Sequence, residues 1–319
     1  MPDILSTIPS PLVTVIGEAL IDLIPNGTHH EYRALPGGSP FNVSVGLARL
    51  GNRIQLLARL SDNVFGRILR DYAENEGIDL SQAPHAIEPT SLAVVSIGDD
   101  AKPMYDFYIA GTADWQWTPA ELARMDADTA VLHFGSIASW TAPGYDQIIA
   151  TVATHHERGQ ILISYDPNIR PLLMGAFDQA RATIETCIRS THIVKASRED
   201  LDWIYPGTKI EHVAARWLEL GALLVIVTDG YDGAHVYRPG DVPIHRPGRQ
   251  VNVIDTIGAG DAFTAGLLSC LINRGLVHPE VIRQMSAEAL IDAVDKAILV
   301  AALTCERQGA DPPKGNLTQ

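Results

Sequence analysis

The chain has 319 residues, of which 46% are hydrophobic and 19% charged, a composition that supports a large buried core and excludes a disordered chain. Its formal net charge of −14 argues against a nucleic-acid partner, because such proteins concentrate Lys and Arg on the binding surface. The cysteines form no CxxC pair, the N-terminus lacks the features of a signal peptide, and no apolar run reaches the ~18 residues of a membrane helix, so we expect a cytoplasmic protein with no membrane partner.

The first elements are a strand and a helix. VTVIGEALIDLIP, residues 13–25, predicts one long strand that is interrupted or bent near Gly17. Asp22 stands out within it, because a carboxylate in a strand is costly when it is buried without a partner. LPGGSPFNVSVGLARLG then predicts a turn at Gly37-Gly38 and a helix with Asn42 on its first turn, where its amide would bond either the backbone or a ligand.

Residues 91–111 alternate apolar and polar side chains around the turn-rich GDDAKP, which predicts a half-exposed antiparallel hairpin. Together with residues 18–36, this hairpin is expected to form a small β-layer lying across the main sheet. The alternative is an antiparallel edge on the main sheet. Trp115 and Trp117 follow the hairpin and are expected to pack beneath it, with ligand contact as the alternative.

From about residue 129 the pattern changes to apolar strands that alternate with helices. This alternation indicates βαβ units and a mostly parallel central sheet covered by helices on both faces. The predicted strands are TAVLHFG, QILISYD, HIVKAS, LLVIVTDG and VNVIDT, and the predicted helices are YDQIIATVATHHERG, FDQARATIETCIRS, IEHVAARWLELG and one that starts near Asp261.

Three of these predicted strands end in polar or flexible groups. They are Asp166, Thr228-Asp229-Gly230 and Asp255. Ligands of parallel sheets bind beyond the carboxyl ends of the strands. The sequence therefore predicts a ligand site at this edge of the sheet.

The segment DTIGAGDAF predicts exposed backbone N–H groups at the start of a helix. Gly258, Ala259 and Gly260 leave N–H groups unpaired at the helix N-terminus, where the dipole and the missing Cβ atoms of the glycines suit an anion. The dinucleotide fingerprint fails, because its third glycine would fall at Phe263, and the chain has no Gly-Lys dipeptide for a Walker A loop. A dinucleotide-dependent oxidoreductase is therefore disfavoured.

Asp261 follows directly, on the first turn of that helix. Aspartate is favoured at helix N-termini, so a capping role is one interpretation. The other is a general base that takes a proton from a hydroxyl attacking a phosphoryl group, while the bared amides hold the developing charge. The loop by itself leaves both open.

GGSPFNVSVGLARLG and DTIGAGDAF resemble the N-terminal and C-terminal signatures of the PfkB, or ribokinase-like, family of carbohydrate kinases. RLSDNVFGRIL, VTDGYDGAHVY and ALTCERQGA also resemble family segments, so the resemblance spans nearly the whole chain. It implies a single ribokinase-like α/β domain over residues 1–319, with a β-sheet lid formed by about residues 18–36 and 91–117. It also implies ATP-dependent phosphorylation of a sugar or sugar-like alcohol, ATP and Mg²⁺ as cofactors, K⁺ as a further candidate, and a homodimer through the lid.

The resemblance assigns the chemistry to Asp261 as catalytic base and the anion hole to Gly258, Ala259 and Gly260. The residues implied in sugar binding are Asp22, Gly38 and Asn42, with Asp261. Carboxylates and amides suit this task, because they take hydroxyls as donors and fix one sugar orientation.

Arg170, in YDPNIRPLL, would lie near the substrate or the transferred phosphate, with a structural ion pair as the alternative. The residues implied on the nucleotide side are Asn168, Ser197, Thr228, Gly230 and Gly233, with Gly258 and Gly260. A hairpin built on DGYDG is an equal alternative for the turn at 228–233. Asp200 would bind Mg²⁺ through water, with Glu199 as the alternative. Asp255 would lie near a monovalent cation, with a strand-end cap as the alternative.

YDPNIRPLL resembles fructokinases and 2-keto-3-deoxygluconate kinases rather than ribokinases, and GEALIDLIP with PGGSPFNV favours fructokinases. Three departures bear on activity and substrate. Ser197 and Asp200 replace an Asn-x-x-Glu motif, Ile298 stands where relatives often have Asn or His beside the adenine, and Ile109 replaces an Arg of some fructokinase lids.

Fructose is therefore the expected acceptor. The alternatives are 2-keto-3-deoxygluconate, ribose, a nucleoside or a phosphorylated sugar, and the segments of the expected lid offer little of the positive charge that a phosphorylated sugar would need. A non-catalytic sugar- or nucleotide-binding protein on the same fold is the alternative of another class.

Overall fold

The computed structural model describes residues 10–97 and 103–315. The strands in chain order are β1 (Leu12–Ile16), β2 (Leu20–Asn26), β3 (Thr28–Gly37), β4 (Arg53–Leu57), β5 (Leu60–Ser61), β6 (His85–Ala86), β7 (Leu92–Ile97), β8 (Pro103–Tyr108), β9 (Thr129–Gly135), β10 (Leu162–Asp166), β11 (Ile193–Ser197), β12 (Leu224–Thr228), β13 (Ala234–Tyr237) and β14 (Ile244–Arg246). The helices are α1 (Ser39–Arg49), α2 (Val64–Asn75), α3 (Pro119–Leu122), α4 (Tyr145–Arg158), α5 (Phe177–Arg189), α6 (Arg198–Ile204), α7 (Ile210–Glu219), α8 (Ala259–Asn273), α9 (Pro279–Arg283) and α10 (Ala287–Cys305).

The main sheet has eight strands in the order β14-β13-β12-β11-β10-β9-β1-β4. The pairs from β4 through β1, β9, β10 and β11 to β12 are parallel, and only β13 and β14 add antiparallel pairs. A separate apolar core lies on each face, because successive strand residues point to opposite sides. Val131 belongs to the core under α1, α8 and α10, whereas its neighbour Leu132 belongs to the core under α4, α5 and α7. The predicted parallel sheet with helices on both faces is confirmed.

A second sheet has the order β3-β2-β7-β8 and does not pair with the main sheet. The expected separate β-layer is therefore confirmed, and the alternative of an antiparallel edge on the main sheet is not. Strands β7 and β8 form the predicted antiparallel hairpin, and most of its turn, residues 98–102, lies outside the described residues. Trp115 and Trp117 are 2% and 4% exposed and pack into the core, as expected.

Two strand predictions differ from the structure. The segment 13–25 is not one strand, because its two halves, β1 and β2, belong to different sheets. VNVIDT, residues 251–256, forms no strand, so the prediction that a strand ends at Asp255 is wrong. The amides of Ile254 and Asp255 both donate to the carbonyl of Cys305, at the end of α10, rather than to a strand. Val253 and Ile254 are 61% and 67% exposed, so the apolar alternation that indicated a half-buried strand serves no core.

Within the part of the chain that the structure describes, no helix combines the length and apolar character that crossing a membrane requires.

Candidate active site

The carboxylate of Asp261 lies where the first turns of α8 and α1 meet. The hydroxyl of Ser39 donates to its Oδ1 at 2.6 Å, and the amide nitrogen of Asn42 donates to its Oδ2 at 2.9 Å. The two helices approach closely because Gly46 of α1 faces Ala265 of α8, and a Cβ on Gly46 would come within 2.7 Å of the alanine methyl. Asp261 is thus held by two donors from an element more than two hundred residues away in sequence.

Burial raises the pKa of Asp261, and the hydrogen bonds from Ser39 and Asn42 oppose that rise. Only 9% of the residue is exposed. A carboxylate with a raised pKa is a better proton acceptor than an ordinary one, as a general base requires. The N-cap of α8 is Gly258, and the hydrogen bonds of the Asp261 carboxylate come from α1 rather than from the amides of its own helix, which is not the pattern of a capping residue.

The glycine loop in front of α8 leaves backbone N–H groups without hydrogen-bond acceptors. Gly258 has φ +75°, a left-handed conformation that favours glycine, and a Cβ there would meet Ala310. Among the described residues, no acceptor takes the amide hydrogens of Gly258, Gly260 or Asp261. The amide of Ala259 instead closes a turn onto the carbonyl of Thr256, so three of the four donors remain for an anion at the positive end of α8.

Lys195 is a site residue to which sequence reasoning gave no role. Lys195 is 4% exposed, and its ammonium lies 2.8 Å from Oδ2 of Asp166. The ammonium is directly under the loop, since a Cβ on Gly260 would come within 2.8 Å of Nζ. Burial lowers the pKa of Lys195, but the carboxylates of Asp166, Asp200 and Asp261 together outweigh that effect and raise the pKa, so the group is positive. The available signal was a lysine in the apolar strand HIVKAS at the ligand edge of the sheet.

Asp22 and Arg170 lie near the base. The pKa of Asp22 is raised to about 6, chiefly by burial; Arg170 opposes this rise and Asp261 contributes to it. Asp22 sits on β2 in the small sheet, Arg170 follows β10, and Asp261 begins α8, so three distant segments converge. Gly37 on β3 leaves room for the Asp22 carboxylate, which a Cβ there would overlap.

The two other residues expected at the sugar have contacts of their own. Asn42 uses its amide nitrogen on Asp261, which leaves its Oδ1 for a ligand. Gly38 is the N-cap of α1 with φ +100°, and a Cβ there would come within 2.8 Å of the carbonyl oxygen of Glu18. It therefore lets α1 begin close to the junction of the two sheets.

The expected nucleotide residues lie at the ends of neighbouring strands. Ser197 and Thr228 are register partners of β11 and β12. The turn after Thr228 is a hairpin into β13 in which Gly230 and Gly233 have φ +51° and +99°, and a Cβ on Gly233 would overlap the carbonyl of Arg246. The hairpin alternative describes the local structure, and a nucleotide contact there stays a prediction.

The two aspartates that are expected to bind cations, Asp200 and Asp255, already accept hydrogen bonds from the protein. Asp200 accepts from the amide and hydroxyl of Ser197 and from the amide of Ile169, which makes a capping box for α6. Asp255 accepts from the amides of Ile257 and Gly309 and so ties the loop to the C-terminal segment. Residues 10–97 and 103–315 contain no cluster of three His, Cys, Asp or Glu that would hold a metal.

The other two positions at which the sequence departs from the family pattern, Ile298 and Ile109, differ in how deeply they are buried. Ile298 is buried in α10 within the core beside α8. Ile109 is partly buried, and its carbonyl accepts from the Trp115 indole and the Thr112 hydroxyl.

Comparison with known proteins places this geometry in a family. The model of the pfkB family carbohydrate kinases matches residues 10–315. The chain belongs to the pfkB family of carbohydrate kinases. It is therefore a phosphotransferase that acts on a sugar hydroxyl, and the expected fold and enzyme class are confirmed.

Among pfkB relatives, a fructokinase of Rhizobium leguminosarum bv. trifolii is 33% identical over 289 residues, covering 89% of this chain and 87% of the relative. The crystal structure of a fructokinase from Xylella fastidiosa with bound ATP is 25% identical, with a TM-score of 0.86 and 94% of each chain covered. A fructokinase double mutant from Vibrio cholerae O395, solved with fructose, ADP and potassium ion, is 30% identical, with a TM-score of 0.82 and 95% and 94% covered.

Proposed function

We propose that this pfkB kinase transfers the γ-phosphoryl group of ATP to a hydroxyl of free fructose. The observation that carries the proposal is the buried Asp261 carboxylate, held by Ser39 and Asn42 beside the unpaired amides of the α8 loop. A non-catalytic binding protein would have no need of this arrangement. Fructose is favoured over other acceptors by the likeness to fructokinases across nearly the whole chain.

In the proposed reaction, Asp261 accepts the proton of the attacking hydroxyl as its oxygen bonds to the γ-phosphorus of ATP, while the bond from that phosphorus to the β–γ bridging oxygen breaks and ADP leaves. The amides of Gly258 and Gly260 stabilise the charge on the transferred phosphoryl oxygens. Lys195 adds positive charge beneath the loop, and the guanidinium of Arg170 lies on the side of Asp22, which would orient the sugar. A carboxylate beside a phosphate loop repels the anion, and these cations offset that repulsion.

ATP would bring Mg²⁺, which neutralises phosphate charge when bound. The chain fits an ion held mainly by phosphates and water, because the carboxylate of Asp200 is already occupied by three donors and offers no protein cage. Asp200 acting through water, and K⁺ near Asp255, remain proposals. The Vibrio cholerae protein was solved with potassium ion, which supports testing K⁺ here.

We also propose a homodimer formed through the outer face of the small sheet, which would act as a lid on the sugar site. Exposure alternates along β8, so that Tyr105 and Phe107 face inward and Met104 and Tyr108 face outward. Met104 and Tyr108 are 58% and 61% exposed, and Tyr32 on the opposite edge strand is 45% exposed. Large apolar side chains on an exposed sheet face are typical of an interface.

The test is ADP release from Mg-ATP with fructose, ribose, 2-keto-3-deoxygluconate, adenosine, fructose 6-phosphate and tagatose 6-phosphate. We expect turnover on fructose, and a loss of about 10²–10⁴ in kcat in Asp261→Asn, because the base is removed while the shape is kept. Asp202→Asn, an exposed aspartate on α6, is the matched control and should behave as wild type.

Turnover on another acceptor of the panel would overturn fructose and keep the mechanism. Near-wild-type turnover in Asp261→Asn would overturn the base. If no acceptor reacts, the non-catalytic binding protein becomes the better explanation.

A further inference from the structure

Two residues near the site have an unfavourable backbone conformation. Ser136 and Asn168, with φ +54° and +40°, are the non-glycine residues of positive φ in the described part of the chain. Ser136 combines its φ with ψ −153°, a region populated almost only by glycine. Such conformations persist only where surrounding contacts hold them, and they cluster at functional sites.

The two strained residues are bonded to each other. Ser136 directly follows β9 and Asn168 lies two residues after β10, the neighbouring strand. The amide nitrogen of the Asn168 side chain donates to Oγ of Ser136 at 3.2 Å. The backbone amide of Ser136 donates to the carbonyl of Asp166 at 2.8 Å, so the ends of the strands are fastened at this point.

Asn168 in turn holds the guanidinium of Arg170. Nη1 of Arg170 donates to Oδ1 of Asn168 at 2.8 Å, to its carbonyl at 3.3 Å and to the carbonyl of Ile169 at 2.9 Å. All hydrogen bonds of this guanidinium within the described residues use Nη1. Nε and Nη2 therefore remain for oxygen atoms of a ligand.

A buried carboxylate completes the chain of contacts. Glu18, 1% exposed, lies beside the Ser136 hydroxyl and accepts from the amide of Ala138 at 3.1 Å. The Ser136 hydroxyl accepts from Asn168 and lowers the pKa of the nearby Glu18 carboxyl, whose Oε1 has no hydrogen-bond partner among the described residues. Contacts thus run from the buried junction of the two sheets, through Ser136 and Asn168, to Arg170.

We propose that Ser136 is a positioning residue that keeps Asn168 in its left-handed conformation and thereby fixes the guanidinium of Arg170 on the Asp22 side of the active site. This inference rests on the proposed function of Arg170. Backbone strain at Ser136 is retained because glycine, which would relieve it, has no hydroxyl with which to hold Asn168.

The test measures kcat, KM and Tm for Ser136→Ala, Ser136→Gly, Arg170→Ala and the double variant Ser136→Ala/Arg170→Ala. We expect both Ser136 variants to lose about 10–100-fold in kcat, the size of effect that misplacing a reacting group has, with little change in the KM for ATP. In the Arg170→Ala background, Ser136→Ala should cost nothing further, because the group through which it acts is gone.

Stability gives a readout that needs no activity. Ser136→Gly should have a Tm above that of Ser136→Ala, because glycine relieves the strain. The matched pair is at Ser164, a buried residue of β10 bonded to His133, where the backbone is an ordinary strand. There the glycine variant should melt below the alanine variant.

The outcomes that would contradict the role of Arg170 differ from those that would contradict the role of Ser136. If Arg170→Ala retains wild-type kcat, the proposed role of Arg170 fails and the inference falls with it. If Arg170→Ala loses activity but Ser136→Ala does not, or if Ser136→Ala costs as much in the Arg170→Ala background as in wild type, the inference alone is wrong. The same holds if Ser136→Gly melts below Ser136→Ala.

Discussion

At the scale of single residues, one buried cation balances the negative charge of several carboxylates in the site. The Lys195 ammonium lies among the carboxylates of Asp166, Asp200 and Asp261, all of which favour its charged form. Buried carboxylates repel one another when no cation lies between them. A single buried lysine therefore lets the base and its neighbours share one site.

Removing that cation should damage both stability and turnover. We expect Lys195→Met to lower the free energy of unfolding by about 3–5 kcal/mol, because Asp166 is left as an unpaired buried charge. Urea unfolding measures this loss, and ADP release should show a lower kcat because positive charge under the anion loop is gone.

The double variant Lys195→Met/Asp166→Asn separates the two effects. Removing the unpaired carboxylate should restore much of the stability, whereas kcat should stay low. Recovery of both together would mean that Lys195 acts only by holding the fold, and wild-type kcat in Lys195→Met would remove it from the site.

At the scale of elements, the break between β1 and β2 places a buried carboxylate where the two sheets join. Burial raises the pKa of Glu18 from 4.5 to about 7, and nearby Asp114 adds to this, while the Ser136 hydroxyl and the Ala138 amide oppose it. The folded protein therefore keeps a proton that the unfolded chain releases. The contribution of Glu18 to stability is largest below pH 4.5 and decreases as the pH rises to about 7.

Glu18→Gln should flatten this dependence. Between about pH 4.5 and pH 7 the free energy of unfolding of wild type should fall relative to that of the variant, by up to about 3 kcal/mol. Urea unfolding at pH 5 and pH 8 measures the difference. Equal pH dependence in the two proteins would show that Glu18 ionises as freely in the fold as in the unfolded chain.

At the scale of the whole molecule, the net charge of −14 bears on assembly. Two such chains repel, so the proposed dimer should tighten as added salt screens the charge. Sedimentation velocity at several protein and NaCl concentrations should show a dimer in wild type and a monomer in Tyr108→Asp, which places a charge on the outer face of β8.

Val242→Asp is the matched control, because Val242 is also a large exposed hydrophobic residue, 83% exposed, in a loop beside β14 of the main sheet. It should leave the dimer intact. A monomer in wild type at every concentration, or equal dissociation in both variants, would contradict the proposed interface.

The sequence by itself determined the parallel sheet, its helices, the separate β-layer and the family, because periodicity and the DTIGAGDAF and GGSPFNV motifs are local signals. It also indicated Asp261, Asp22 and Arg170 as site residues. It misread VNVIDT, since alternation of apolar residues does not reveal whether a sheet edge is open to receive a strand.

Only the tertiary structure decided how those residues work together. The donation of Ser39 and Asn42 to Asp261, the pairing of Lys195 with Asp166 and the bond between Ser136 and Asn168 all join segments far apart in sequence. No local pattern encodes such contacts, because they arise where strand ends and helix starts from distant parts of the chain meet at one edge of the sheet. That meeting sets the burial and charge around each group, and with them its pKa and its part in the chemistry.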